Sequence, residues 1–175
     1  HLATRLVRHF VADSPPRTAV ERIFGVLRDT RGDLGAARRA LLRLPGAWSP
    51  PLGKLRDPQD WLVALGRAVE FPPERAEFLV NGMSGLAQPL WAAPQPVGWP
   101  DIAAEWAVPE AMMRRVEWAH SLAGRSVGRW PDARALAEAV LGPLTHPDTL
   151  REVARAGSPQ DALTLLLVSP EFQRR

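Results

Sequence analysis

A chain of 175 residues with 46% hydrophobic and 23% charged side chains is long enough for one compact core and too apolar to be a disordered segment. Its longest apolar runs, such as Ala162 to Val168 interrupted by Thr164, fall far short of the roughly 20 residues that cross a bilayer, so no membrane span is expected. The pI near 10.8 goes with a formal net charge of only +3, because there is no Tyr or Cys and a single lysine, Lys54, and little titrates between the histidines and the arginines; the absence of cysteine also excludes disulfides and thiolate chemistry.

In chain order, His1 to Val11 sets Leu2, Leu6 and Phe10 four apart, with Ala3 and Val7 on the neighbouring strip and Arg5 and Arg8 outside, which predicts an amphipathic helix. That periodicity is already running at His1, so the chain reads as part of a longer or processed protein. Asp13-Ser14-Pro15-Pro16 breaks the first helix and starts a second, in which Val20, Ile23, Phe24 and Leu27 form the stripe expected to be buried. Asp33 can cap a third helix carrying Leu34, Ala37, Leu41 and Leu42 up to Pro45. Asp57 can cap a fourth with Trp61, Leu62, Leu65 and Val69 inside. Further helices are predicted over Pro73 to Leu86, Pro109 to Ala123, Asp132 to Leu141, Pro147 to Ala156 and Pro159 to Val168.

A proline followed at once by an acid recurs at Pro73, Pro100, Pro109, Pro131, Pro147 and Pro170. Each pair predicts a helix start, since proline lacks an N–H that the first turn cannot use and the acid faces the positive end of the helix dipole. Ser158-Pro159-Gln160-Asp161 adds a cap residue to the same device. The exception is Pro89 to Pro100, PLWAAPQPVGWP, where prolines and Gly98 forbid a helix and the tryptophans are expected to pin a loop to the domain. Leu41-Leu42-Arg43-Leu44-Pro45 followed by Trp48 is echoed by Leu166-Leu167-Val168-Ser169-Pro170 followed by Phe172, but two copies without a longer period do not make a solenoid. No segment alternates as a strand does. The expectation is an all-α fold, a single compact domain over residues 1–175 with about nine or ten short helices and one long Pro/Trp loop.

Little in the sequence carries chemistry. Glu117 and His120 have the Glu-x-x-His spacing of helical metal ligands, yet such sites need a second copy and further glutamates, so this pair reads as an exposed polar face. Gly82-Met83-Ser84-Gly85 falls one residue short of a nucleophile elbow and follows no strand. No phosphate-binding glycine loop occurs, and no cofactor is expected. Arginines come in scattered pairs, Arg38-Arg39, Arg114-Arg115 and Arg174-Arg175, without the basic stripe and interleaved aromatics of a nucleic-acid surface. The best lead to a ligand is the loop, where Trp91 and Trp99 lie beside Gln88 and Asp101, the mixture of flat apolar and polar groups that pockets use; the alternative is that the loop merely closes the core.

The stretches LATRLVRHFVADSPP, GDLGAARRALLRLP, KLRDPQDWLVALGRA, LAQPLWAAPQPVGWPD and LLLVSPEFQRR resemble the bacterial family known as domain of unknown function 1800. The resemblance spans nearly the whole chain and corresponds to the C-terminal part of longer members. It implies export and transfers no activity and no functional residues. One departure is Leu86-Ala87-Gln88, where the resemblance leads one to expect glycine before Gln88. The expected role is that of a non-catalytic structural or interaction part of a larger exported protein, its partner being the N-terminal part of the same protein or another protein. The alternatives are a saccharide-binding or other polymer-binding part of an enzyme, stacking its ligand on Trp91 and Trp99, and a nucleic-acid adaptor.

Overall fold

Helix starts fall where side-chain caps and prolines dictate. Asp33 Oδ1 accepts from the Ala36 N–H at 3.1 Å, Asp57 Oδ1 from Asp60 at 2.9 Å, Ser158 Oγ from Asp161 at 3.1 Å, and Asp132 Oδ1 from Arg134 and Ala135. The computed structural model describes residues 1–49, 52–130 and 132–175. Its helices are α1 (Leu2–Phe10), α2 (Arg17–Asp29), α3 (Leu34–Leu42), α4 (Pro58–Ala68), α5 (Ala76–Gly85), α6 (Ala103–Trp106), α7 (Pro109–Ser126), α8 (Ala133–Val140), α9 (Pro147–Arg155) and α10 (Pro159–Leu167). Among the described residues there is no strand, only an isolated bridge between Leu55 and Arg174, so the fold is all-α. Three of the Pro-acid pairs differ from expectation. Pro100 and Asp101 both precede Ile102, the residue before α6, and so stand outside its first turn. Pro73-Glu74 opens a single 3-10 turn ahead of α5, and Pro170-Glu171 opens turns and no helix; Pro131 lies outside the described residues.

Three helices stop in the same way without the glycine that normally permits it. Arg31, Glu70 and Ala87 follow α2, α4 and α5 with φ of 53°, 48° and 62°. The next residue's N–H then reaches back to the helix, Gly32 to Leu27 at 2.7 Å, Phe71 to Gly66 at 2.7 Å and Gln88 to Met83 at 2.8 Å, as in a Schellman closure. The glycine missing before Gln88 is therefore missing from a left-handed position, where an L side chain costs about 1–2 kcal/mol.

The apolar residues gather in two cores. The larger one surrounds α10, which packs on α7, α8 and α9 and buries Leu163, Leu166 and Leu167 with Trp61, Leu122 and Phe172. The smaller is closed by α1, α2 and α3 around Val7, Ile23, Ala37 and Leu41. Here the expected stripes are buried only in part. α1 turns Ala3, Val7 and Val11 inward and leaves Leu2 and Phe10 exposed, and Phe24, Leu34 and Leu42 on α2 and α3 are exposed as well. Three short helices can cover one strip of each other, and small Ala and Val residues allow the closer approach; the neighbouring large residues remain outside.

Within the larger core, Arg115 on α7 is fully buried. Its guanidinium lies 5.4 Å from the centre of the Trp61 ring and donates to Gln173 Oε1 at 2.7 Å and to the Arg56 carbonyl at 2.9 Å, fixing the C-terminal residues. Burial pushes its pKa down to about 10 against the opposing charge of Asp57, so it remains cationic at neutral pH.

Candidate functional site

The Pro89 to Pro100 segment separates the four residues that the sequence groups there. Gln88 is buried and its Oε1 accepts from the Gln59 N–H at 2.7 Å, satisfying a free donor in the first turn of α4. Trp99 packs on Trp106 at a centroid distance of 6.2 Å, and Trp106 Nε1 donates to the Pro100 carbonyl at 2.9 Å. That half of the loop is pinned as expected. Trp91 is not: it stands 94% exposed, with a left-handed φ of 59°. Asp101 turns away from the loop toward Lys54.

Lys54 is the seam between the two cores. It is only 2% exposed, and its Nζ donates to Asp13 Oδ1 at 2.5 Å and to the Asp101 carbonyl at 2.8 Å, with Asp101 Oδ1 at 3.2 Å. Asp13 Oδ2 accepts from the Ala103 N–H at 2.6 Å, and Asp101 Oδ2 lies 3.1 Å from His9 Nδ1. The Lys54 backbone also pairs in both directions with Arg175, while a Cβ on Gly53 would fall 2.8 Å from the Val11 carbonyl. The segment thus runs tight against the end of α1 and ties it to α6 and to the C-terminal residues. Partial burial works to raise the Asp13 pKa, but the hydrogen bonds from Lys54 and Ala103 and the charges of Lys54 and Arg8 outweigh it and hold the carboxyl below its ordinary value. A lysine alone among twenty-one arginines was the available signal for this node.

Glu117 and His120 are both exposed on α7. His120 Nε2 lies 3.0 Å from Gln160 Nε2, and Nδ1 lies 3.4 Å from Thr164 Oγ1, so the imidazole contacts α10. Among the described residues, no three His, Asp or Glu side chains gather as metal ligands would. The Gly82 to Gly85 stretch lies on α5, where the Trp118 ring covers the backbone of Gly82.

Three roomy clefts open at the surface among the described residues, beside smaller ones such as that of about 170 Å³ between Phe71, Phe78 and Arg129. Two flank the C-terminal residues and share Leu144, Glu171 and Arg174: one of about 620 Å³ beside Leu52 and His146, the other of about 490 Å³ beside Arg56 and Arg67. Glu171 between them is engaged internally, accepting from the His146 N–H at 2.8 Å and the Thr149 hydroxyl at 3.0 Å. The third, about 410 Å³, lies on the three-helix unit between Phe10 and Val11 at the end of α1, Leu41 and Leu42 on α3, and Ala47 and Trp48 in the following turn, with Arg38 and Arg175 at its rim. Its walls are nearly all apolar. Phe10 is 57% exposed, Leu42 55% and Trp48 62%. Burying one such side chain fully is worth about 1.5–3 kcal/mol, so three exposed side chains around one concave surface leave burial to be gained there.

The family model described as protein of unknown function, DUF1800, matches residues 1–174. The chain belongs to that family. No curated protein and no solved structure matches it. The DUF1800 match takes in both cores, the Lys54 seam and the residues of all three clefts except Arg175. No helix among the described residues is long and apolar enough to cross a membrane.

Proposed function

We propose that this DUF1800 chain is a helical interaction domain whose work is to hold another polypeptide. The observation that carries this is the apolar cleft of the three-helix unit, where Phe10, Leu42 and Trp48 stand in solvent around a concave surface. The domain's other distinctive polar groups have structural employment: Lys54, Asp13 and Asp101 in the seam, Arg115 and Gln173 at the C-terminal residues, Gln88 at α4. We place the domain in a larger, exported protein on the strength of the family resemblance. The test is the melting temperature of the chain against acidic, basic and neutral peptides, oligosaccharides, divalent metals and duplex DNA. A ligand at a hundred times its Kd adds roughly 2.7 kcal/mol, and about 1 kcal/mol moves the midpoint of a domain this size by roughly 2–4 °C. A saturable shift with peptides alone is the expected result; a shift with metals or turnover of a substrate by the isolated chain would defeat it.

One observation favours a second reading, the saccharide-binding one. Trp91 holds a flat apolar ring almost wholly in water, the disposition that stacks on a sugar face. With Gln88 and Asp101 engaged inside the protein, the polar contacts would come from elsewhere on the loop. Oligosaccharide titration that quenches wild type and not Trp91→Ala would support it.

A further inference from the structure

We propose that the cleft bounded by the end of α1, α3 and the turn at Pro45–Ala47 is the docking site for an acidic segment of a separate protein. That segment seats bulky apolar side chains against Phe10, Leu42 and Trp48 and sets its carboxylates against Arg38. The inference rests on the interaction reading above and gives it a place and a partner chemistry.

Charge is the first argument. Residues 1–49 contain nine arginines against four carboxylates, a net of +5, while the rest of the chain carries thirteen cationic against fifteen anionic side chains, a net of −2. Among the described residues, six of those nine arginines, Arg5, Arg8, Arg22, Arg31, Arg38 and Arg43, make no ion pair. Arg8 Nε is buried without a partner. The net positive charge of the protein is therefore carried by the unit that holds the cleft, where six of nine arginines stand outside any ion pair among the described residues.

Shape and continuity supply the second. Leu2 and Phe10 lie eight apart on one face of α1, and Leu34, Arg38 and Leu42 four apart on one face of α3, so exposed apolar stripes lead along both helices to the cleft. That geometry takes the i, i+4, i+7 anchors of an amphipathic helix. A flat bilayer would not fill a concave site, and a nucleic acid would meet walls that are almost wholly apolar. The local echo in the chain makes the same point: Phe172, after α10 and Pro170, is buried in the larger core, whereas Trp48, after α3 and Pro45, donates its indole N–H to the Leu42 carbonyl at 2.8 Å and leaves most of its ring exposed.

The experiment is selection of a random-peptide phage library on the immobilised full chain, repeated on Trp48→Ala and on Arg38→Glu, with circular dichroism to verify that each variant is folded. Both side chains are exposed, so the fold should survive either change. The expected result is enrichment of Asp and Glu interleaved with Leu, Phe or Trp, binding weakened about tenfold or more by Trp48→Ala, and loss of the acidic bias on Arg38→Glu. Enriched peptides that bind both variants as they bind wild type would overturn the cleft assignment while leaving the interaction reading standing. No enrichment at all would overturn both. Trp48-dependent binding of anionic vesicles or duplex DNA in preference to the peptides, or self-association of the chain abolished by Trp48→Ala, would overturn the proposed partner.

Discussion

Replacing Lys54 by Met keeps most of the side chain's volume and removes its charge, so it isolates what the ammonium does. Lys54 is 2% exposed and its two carboxylate partners are 27% and 30% exposed on the side chain, which makes this a buried cation held by partly solvated anions. Breaking a buried pair by deleting one member costs about 3–5 kcal/mol; because water still reaches Asp13 and Asp101, the lower figure applies. About 3 kcal/mol corresponds to a fall in Tm of roughly 6–12 °C for a domain of this size. The seam also couples the cores, since Lys54 holds Asp13 at the end of α1 while its backbone pairs with Arg175, three residues after Phe172 of the larger core. Urea unfolding of Lys54→Met followed by both circular dichroism and tryptophan fluorescence should therefore give transitions that no longer coincide. Trp48 is the sole tryptophan in residues 1–49, so fluorescence reports mostly the larger core. In the Lys54→Met background, Asp13→Asn should cost far less than it does alone. A loss below about 1 kcal/mol, or additive effects of the two substitutions, would refute the role given to the seam.

Two substitutions around α5 should move stability in directions that helix propensity does not anticipate. Ala87→Gly, at φ 62°, relieves a left-handed alanine and should raise stability by about 1 kcal/mol in urea titration. Gly82→Ala adds a methyl that would fall 2.6 Å from the Trp118 ring, and should lower stability by about 1–3 kcal/mol despite alanine's better propensity. Asp13, whose carboxyl is held below its ordinary value of 3.8 by Lys54, Ala103 and Arg8 against the opposing effect of burial, contributes stability that is fully present above that value and is lost as the pH falls through its lower folded pKa. The stability difference between wild type and Asp13→Asn should accordingly be flat from neutral pH to about pH 5 and shrink below 3.8.

Element by element, what the sequence made legible was local. Asp33, Asp57 and Ser158 cap the helices that their spacing predicts, and Trp61 is a core residue as its helical spacing implies. What it hid was which face meets a neighbour. Leu2 and Phe10 look like the inside of α1 because they are larger and more apolar than Ala3 and Val7, but inwardness depends on how closely α2 can approach, a fact of packing and not of α1. The adjacent Arg114 and Arg115 are alike in sequence and opposite in place: a helical step of about 100° puts one on Glu110 at the surface and the other in the core over Trp61. Left-handed closures at Arg31, Glu70 and Ala87 carried no glycine to announce them. Of the candidate ligand residues, Trp91 was identifiable as unusual from its loop, whereas the ties of Gln88 to Gln59 and of Asp101 to Lys54 join positions 29 and 47 residues apart and left no local mark.

The docking claim meets its most direct test in the fluorine spectrum of the chain labelled with 5-fluorotryptophan, whose seven tryptophans are assigned by single Trp→Phe substitutions. On titration with an acidic amphipathic peptide from the phage selection, the Trp48 resonance is expected to shift saturably while that of Trp91 stays in place. A shift at Trp91 with Trp48 unmoved would contradict the assignment and move the binding surface to the loop.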